Sequence, residues 1–232
     1  MNRECMNVVY ASNDGYARHL GTSLYSLLDK NRDFAEIAVY VLTLGLSEEN
    51  QERLREIAEY FGRRLFFLNL DDLRERIGYE VDTGGFDISI MLRLFMGDML
   101  PETVERVLYL DCDTVVLQSL KHLWKENLEG SIVGAVMEPT IYETVKETID
   151  LGEEDPYYNS GVLLVDLKQW REQKIQKKLL SVTDYEILEI SWNIDPSLLG
   201  GMVVQMGDRV VDGSLKRKLE GMTRELNQIS LG

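Results

Sequence analysis

The stretch VLYLDCDTVVL (residues 107–117) decides how the chain is interpreted. Its first four residues, 107–110, are apolar or aromatic, and a short run of this kind predicts a buried strand. The run ends directly at Asp111, Cys112 and Asp113. In an extended backbone, both carboxylates would project to one side and Cys112 to the other. Ligands of open α/β sheets bind beyond the carboxyl ends of the strands, so this pair stands where a site is expected.

The two carboxylates are suited to a divalent cation. Two ionised carboxylates at close distance repel each other, and Mg²⁺ or Mn²⁺, which prefer oxygen ligands, would relieve that repulsion. Such a cation can also stabilise the charge of a departing diphosphate. The alternative interpretation is that Asp111 and Asp113 form a solvated strand end or cap a helix near residues 119–125. The two-aspartate motif alone does not choose between these interpretations.

The rest of the chain alternates between strand-like and helix-like patterns. Short apolar runs bounded by polar residues predict buried strands, and apolar residues at helical spacing predict the helices between them. This alternation is typical of an α/β fold with a mostly parallel sheet covered by helices. The predicted strands are residues 7–11, 37–42, 65–68, 107–110, 132–136 and 162–165, and the predicted helices are residues 16–28, 47–60, 88–100 and 168–180.

Toward the C-terminus the pattern changes. Short apolar runs on either side of Gly207 and Asp208 predict a hairpin. Residues 214–226 have an amphipathic pattern that predicts a helix. We therefore expect an α/β domain over residues 1–182 and a hairpin-plus-helix appendage over residues 183–232.

The composition argues against several classes of protein. The formal net charge of −15 is spread along the chain and disfavours nucleic-acid binding, which requires a basic surface. With only Cys5, Cys112, His19 and His122, neither a disulfide framework nor a structural zinc site is expected. The chain has no apolar run of membrane-spanning length and no signal-peptide pattern at its start, so we expect a cytoplasmic protein without a transmembrane segment.

Four motifs occur in order along the first domain. They are VVYASNDGYARHLGTSLYSLL (residues 8–28), ISIMLRLFMGDMLP (residues 88–101), RVLYLDCDTVVLQSLKHLW (residues 106–124) and YYNSGVLLVDLKQWRE (residues 157–172). Together they resemble glycosyltransferase family 8, the retaining sugar-nucleotide transferases of GT-A fold. The resemblance implies a Rossmann-like GT-A domain. It also implies transfer of a hexose from a UDP-sugar donor to a saccharide or other hydroxyl acceptor, with retention and with the assistance of a metal.

The same resemblance implies a donor site of nine residues and a metal site of two. Ala11, Asn13 and Tyr16 would line the uracil and ribose pocket. Arg93 would contact the diphosphate or the sugar, Asp111 the ribose and the metal, and residues 159–161 the transferred sugar. The donor residues are Ala11, Asn13, Tyr16, Asp87, Arg93, Asp111, Asn159, Ser160 and Gly161, and the metal ligands, for manganese(II) or magnesium, are Asp111 and Asp113.

Several of these residues also have a structural interpretation. Tyr16 would stack on the base or be a core aromatic at the start of a helix. Arg93 would contact the donor or be a surface cation. Asp87 would contact the sugar or cap the following helix, and the sequence weighs the two equally. Residues 159–161 would meet the transferred sugar or be a plain turn before a strand.

The chain departs from the family pattern after Lys178. The family has an aspartate–glutamine–aspartate segment beside the acceptor and, later, a histidine followed by a glycine and a lysine that supply the third metal ligand and a diphosphate contact. Neither occurs here, and no histidine follows Lys178. The catalytic residues therefore stay unknown, and an inactive or binding-only remnant of such an enzyme is an open alternative.

The C-terminal segment LEISWNIDPSLLGGMVVQMGDRVVDGSLKRKLEGMTREL (residues 188–226) resembles the C-terminal end of the delta subunit of bacterial ATP synthase. The chain is then either a fusion or chimera, or a truncated family 8 domain whose bare sheet is covered by this segment. Loss of the family's C-terminal part would expose apolar surface and favour self-association. In the delta subunit this segment belongs to the stator contact, so a third hypothesis is an interaction protein that acts through it.

Overall fold

The computed structural model describes residues 5–81, 87–138, 146, 156–183, 203–206 and 209–212. The chain divides into two compact units. The first consists of Met1–Glu138 and Tyr158–Tyr185, and the second of Pro139–Tyr157 and Glu186–Gly232. The boundary expected at residue 182 from the sequence pattern stays a prediction.

The first unit is built on a six-stranded, mostly parallel sheet. Its strands are β1 (Cys5–Asn13), β2 (Glu36–Leu44), β3 (Arg64–Asn69), β4 (Arg106–Leu110), β5 (Val133–Met137) and β6 (Tyr158–Asp166). The order across the sheet is β3-β2-β1-β4-β6-β5. Strands β1, β2, β3 and β4 pair in parallel, whereas β6 runs antiparallel to both β4 and β5. The predicted α/β fold is confirmed, and each predicted strand of this sheet is present.

The central strands are buried on both faces, which is why their sequences read as continuous apolar runs. In β1, Val8 and Tyr10 belong to one core cluster and Val9 to the other, because successive side chains point to opposite faces. The first cluster lies under the helices α1 (Ala17–Lys30) and α2 (Glu48–Tyr60). The sheet is therefore covered on both sides, and its strand ends are left to form a site.

The helices begin near the predicted positions but differ in two places. The predicted helix over residues 88–100 is a 3₁₀ helix, Ile88–Phe95, followed by α4 (Met96–Met99). Apolar residues fill most positions of this segment, so their spacing does not separate the two helix types. The predicted helix over residues 168–180 is divided into α6 (Leu167–Glu172) and α7 (Ile175–Thr183) by Lys174, whose φ is +53°. The remaining short helices are α3 (Leu73–Ile77) and α5 (Lys121–Lys125).

The connection between α4 and β4 is held by hydrogen bonds from the Arg171 side chain of α6. Arg171 donates hydrogen bonds to the carbonyl oxygens of Gly97 at 2.7 Å, Val104 at 2.8 Å and Leu100 at 3.0 Å. Its neighbour Trp170 is buried, and a Cβ added to Gly97 would lie 2.8 Å from the indole. The absence of a side chain at Gly97 is therefore what lets α4 and α6 approach.

In the second unit, the described residues form an antiparallel hairpin of β7 (Val203–Met206) and β8 (Arg209–Asp212). Met206 is opposite Arg209, so two residues, Gly207 and Asp208, connect the strands, as the hairpin prediction required. The helix predicted over residues 214–226 lies outside the described residues. Within the described part of the chain, no helix has the length and apolarity to cross a membrane.

The close approach of α4 to α6 predicts opposite effects for two glycine substitutions. We expect Gly97→Ala to lower the free energy of unfolding by about 1–3 kcal/mol, because the new methyl group overlaps Trp170. Gly21→Ala, in the interior of α1, should raise it by up to about 1 kcal/mol, because its Cβ would meet Ile57 and Leu54 at ordinary distances of 3.6 and 3.8 Å. Urea unfolding of both variants measures this, and equal stability of the two would contradict the packing described.

Candidate functional site

A cleft of about 210 Å³ opens at the carboxyl ends of β1 and β4. Seven of the predicted site residues lie in its wall, together with five residues that the sequence did not single out. The lining residues are Ala11, Ser12, Asn13, Tyr16, Asp87, Ser89, Ile90, Arg93, Tyr109, Asp111, Cys112 and Asp113. Of the other three predicted residues, Ser160 contacts Arg93, Gly161 contacts Asp111, and Asn159 accepts a hydrogen bond from the amide of Gly161. The structure thus brings all ten together, while their roles stay predictions.

The backbone of the aspartate pair is a turn. The amide and the hydroxyl of Thr114 both donate to the carbonyl oxygen of Asp111, at 3.2 and 2.7 Å. The expectation of an extended segment is therefore wrong, because Thr114 closes the chain onto Asp111 directly after β4. Both carboxylates still line the cleft, and so does Cys112, which was expected to face away. Burial raises the pKa of the Cys112 thiol to about 12, and the thiol donates to the carbonyl oxygen of Ala11 at 3.1 Å.

The alternative that the aspartates cap the next helix does not hold. The amide of Leu120, before α5, donates to Oδ1 of Asn31 at 2.7 Å, and the amide of Lys121 donates to the hydroxyl of Ser119 at 3.4 Å. Asn31 and Ser119 accept the hydrogen bonds of these two amides, so neither aspartate caps α5.

Arg93 is held at the cleft by four polar contacts. Its Nη2 donates to Oδ1 of Asp111 at 3.0 Å, and its Nη1 donates to the carbonyl oxygen and hydroxyl of Ser160 at 3.0 and 3.2 Å. Its Nε donates to the carbonyl oxygen of Ile90 at 3.1 Å. A solvated surface cation would not make these contacts, so that interpretation does not fit.

Tyr109 shares the Asp111 carboxylate with Arg93. Its hydroxyl donates to Oδ1 of Asp111 at 2.7 Å, and the Arg93 guanidinium lies over its ring, 4.8 Å from the centroid. Burial raises the pKa of the Tyr109 phenol well above its usual range, so the hydroxyl remains a donor. Tyr109 was not among the predicted site residues, although it lies in β4 two residues before Asp111, the spacing at which side chains share one side of an extended chain.

The second oxygen of Asp111 and the carboxylate of Asp113 remain available to a ligand. Gly161 stands beside Oδ2 of Asp111, since a Cβ there would lie 2.9 Å from that oxygen. Asp113 is exposed, and no described residue forms an ion pair with it. The described residues contain no cluster of three or more His, Cys, Asp or Glu able to hold a metal ion. Because Mg²⁺ commonly binds one or two carboxylates plus substrate phosphates and waters, this donor set fits a cation bound together with a diphosphate.

The loop after β1 is fixed from two sides. Oδ1 of Asn13 accepts a hydrogen bond from the amide of Tyr16 at 3.1 Å, and Nδ2 of Asn13 donates to the hydroxyl of Ser89 at 3.4 Å. Hydrogen bonds from Ser47 and Asn50 lower the pKa of Asp14 and tie the loop to α2. The Tyr16 side chain is 49% exposed, so the core-aromatic interpretation is wrong and its ring is accessible to a base.

Asp87 and residues 159–161 have defined local structure. Oδ1 of Asp87 accepts a hydrogen bond from the amide of Ser89 at 2.9 Å, and hydrogen bonding with Ser89 lowers the pKa of Asp87. The capping prediction is confirmed, while sugar contact stays open because Asp87 also lines the cleft. Residues 159–161 belong to β6, so the interpretation as a plain turn is wrong. The carbonyl oxygen of Gly161 accepts from the amide of Asp111 at 2.8 Å, which joins the two motifs through the backbone.

The model of Glycosyl transferase family 8 matches residues 7–194. The chain belongs to this family. General stress protein A of Bacillus subtilis is 31% identical over 179 residues, which are 77% of this chain and 62% of that protein. Lipopolysaccharide 1,2-glucosyltransferase of Escherichia coli is 29% identical over 183 residues, covering 77% of this chain and 53% of the enzyme. The chain thus spans only part of the length of these family 8 relatives.

Solved structures confirm the GT-A fold. The structure of galactosyltransferase LgtC with donor and acceptor sugar analogues aligns with a TM-score of 0.64 and 27% identity, over 77% of this chain and 66% of that one. A different match is ATP synthase subunit delta of Lachnoclostridium phytofermentans, 30% identical over 122 residues, which are 49% of this chain and 67% of that subunit. A partial similarity to the delta subunit is thus present beside family 8 membership.

Substitution of Asp87 tests its capping role. Asp87→Ala should lower the free energy of unfolding by about 1 kcal/mol through loss of the cap. Asp87→Asn should lower it by less, because asparagine caps as well and only the charge is lost. Because the pKa of Asp87 is lowered in the folded state, its charge stabilises the protein above the unfolded-state pKa. That stabilisation is lost as the pH falls through the folded-state pKa.

Urea unfolding at neutral pH measures the effect of losing the cap. Urea unfolding at successively lower pH values measures the contribution of the Asp87 charge. The difference between the wild type and Asp87→Asn should shrink as the solution is acidified. Equal destabilisation by alanine and asparagine at neutral pH would contradict the capping role.

Proposed function

We propose that this chain transfers a hexose from a UDP-sugar to a hydroxyl of a saccharide or other acceptor, with retention and with Mn²⁺ or Mg²⁺ as cofactor. The observation that carries the proposal is the convergence of Asp111, Asp113 and Arg93 in one cleft with the loop of residues 11–16. Family membership supports the reaction class, since relatives are named as a 1,2-glucosyltransferase and a 1,3-galactosyltransferase.

The nucleotide would occupy the part of the cleft beside the loop after β1. Tyr16 offers a half-exposed ring for stacking on the base, and its backbone is held by Asn13. In this wall, the small side chain of Ala11 would leave room for the ribose. The loop is fixed to α2 and to Ser89 before any ligand binds, so little ordering is required of it.

The diphosphate would lie beside Arg93 and the two aspartates, on the side of Oδ2 of Asp111. Asp111, through Oδ2, and Asp113 would hold the cation, which would stabilise the charge of the departing nucleoside diphosphate. Arg93 would add a fixed positive charge, and its hydrogen bonds to Ser160 and Ile90 keep it in place. Asn159, Ser160 and Gly161 would face the transferred sugar. We assign no protein nucleophile. The acceptor hydroxyl would attack from the face that the diphosphate leaves, so that the new glycosidic bond forms as the bond to the diphosphate breaks and the hydroxyl proton passes to the departing diphosphate.

A second candidate function is nucleotide binding without transfer. It is favoured by one observation: the described residues offer two carboxylates and no third metal ligand. Release of UDP from a panel of UDP-sugars, with hydroxyl acceptors present, separates the candidates, because a binding-only protein would yield neither hydrolysis nor transfer.

We also propose that residues 188–226 are a contact element, derived from a fusion of a delta-type segment to the family 8 domain. The delta-subunit match and the hairpin of β7 and β8 support this proposal. Deletion of residues 188–226 should change the oligomeric state measured by light scattering. An unchanged oligomer and unchanged stability would exclude a contact role.

The metal part of the proposal predicts a specific loss. Asp113→Ala should weaken UDP binding in the presence of Mn²⁺ by about tenfold or more, because a metal ligand matters at least as much as the groups that orient it. Binding of UDP without Mn²⁺ should be unchanged. Isothermal titration calorimetry with and without Mn²⁺ measures both. Asp71→Ala, an exposed aspartate outside the cleft, is the matched control.

Two results would count against this assignment. One is UDP binding whose heat does not depend on Mn²⁺ in the wild type. The other is an equal response of Asp113→Ala and Asp71→Ala to the metal.

A further inference from the structure

The Asp111 carboxylate is anchored asymmetrically. Two donors, the Tyr109 hydroxyl at 2.7 Å and Nη2 of Arg93 at 3.0 Å, converge on its Oδ1. Its Oδ2 receives no described hydrogen bond and lies beside Gly161, where a Cβ would approach to 2.9 Å. The rotation of the carboxylate is therefore fixed through one oxygen, and the other oxygen is directed away from both donors.

The two donors differ in burial and in how many partners they have. Tyr109 is 1% exposed and lies within β4, where it pairs with Leu163 of β6 and with Val9 of β1. Its hydroxyl cannot leave Asp111 without displacement of a buried ring. The Arg93 side chain is 20% exposed, and its guanidinium also donates to Ser160 and Ile90. Tyr109 is therefore the donor whose described side-chain hydrogen bond goes to Asp111 alone.

We propose that Tyr109 is a positioning residue that orients Asp111 for a divalent cation. This inference rests on the proposed function of the same cleft. Tyr109 does not touch the substrate in this account. It acts through Asp111, and its ring also contacts the Arg93 guanidinium, which lies 4.8 Å from the ring centroid.

The substitution Tyr109→Phe tests the proposal because it keeps the ring, and with it the contact to Arg93, and removes only the hydroxyl. We expect Mn²⁺ to bind about 10–100-fold more weakly, the usual effect of losing a partner that orients a metal ligand. Bound Mn²⁺ is counted by electron paramagnetic resonance in the presence of UDP. UDP affinity without metal should stay unchanged.

Tyr79→Phe is the control. Tyr79 is half-buried, does not line the cleft, and its hydroxyl donates to the carbonyl oxygen of Leu180 at 2.6 Å. Both variants lose a hydrogen bond of a tyrosine hydroxyl, so the thermal unfolding of both should shift. Only Tyr109→Phe should lose Mn²⁺ affinity.

Three outcomes would overturn the inference: unchanged Mn²⁺ affinity in Tyr109→Phe, an equal loss in Tyr79→Phe, or a wild type that binds UDP but no Mn²⁺. The proposed function is judged separately, by transfer of sugar from a UDP-sugar. A wild type that transfers sugar while Tyr109→Phe retains its Mn²⁺ would refute the role of Tyr109 alone. A wild type that binds Mn²⁺ and loses it in Tyr109→Phe, but transfers no sugar, would refute the reaction alone.

Discussion

Asp111 connects three separate parts of the chain through its carboxylate and its amide, and the arrangement of the cleft depends on it. Its Oδ1 is bonded to Arg93 from the 3₁₀ helix and to Tyr109 from β4, while its amide is bonded to Gly161 of β6. These bonds set the positions of Arg93 and residues 159–161 relative to the aspartate pair. A neutral side chain at position 111 would leave Arg93 with an uncompensated charge at a partly buried place, which is costly.

The sheet explains why these groups meet. β4 lies between β1 and β6, so the loop after β1, the turn after β4 and the start of the antiparallel β6 all lie at one edge. The hydroxyls of α1 then fix the turn from the other side. Ser23 is hydrogen-bonded to Thr114 at 3.0 Å, and Ser26 accepts from the amide of Val116 at 2.9 Å. The aspartate pair is thus supported by the core of the domain, and the cleft requires little rearrangement to receive a ligand.

The sequence contained enough information for the strands, the fold class and most of the cleft. Buried strands give continuous apolar runs, and polar residues directly after them mark the edge where a site forms, as Asn13 and Asp111 do. What the sequence could not provide was long-range hydrogen bonding. The turn at Asp111 depends on Thr114, itself anchored by Ser23 from 91 residues away. Tyr109 was missed for a related reason, since an aromatic residue in a buried run carries no signal of where its hydroxyl points. Lys174 likewise adopts a positive φ that its local sequence does not indicate.

The central claim is that Asp111 and Asp113 together hold a divalent cation beside a nucleoside diphosphate. Anomalous X-ray diffraction from crystals containing Mn²⁺ and UDP locates the cation directly. The account predicts one manganese peak in contact with Oδ2 of Asp111, the carboxylate of Asp113 and the diphosphate of UDP. A manganese peak away from either aspartate, or UDP bound in the cleft with no manganese beside it, would contradict the account.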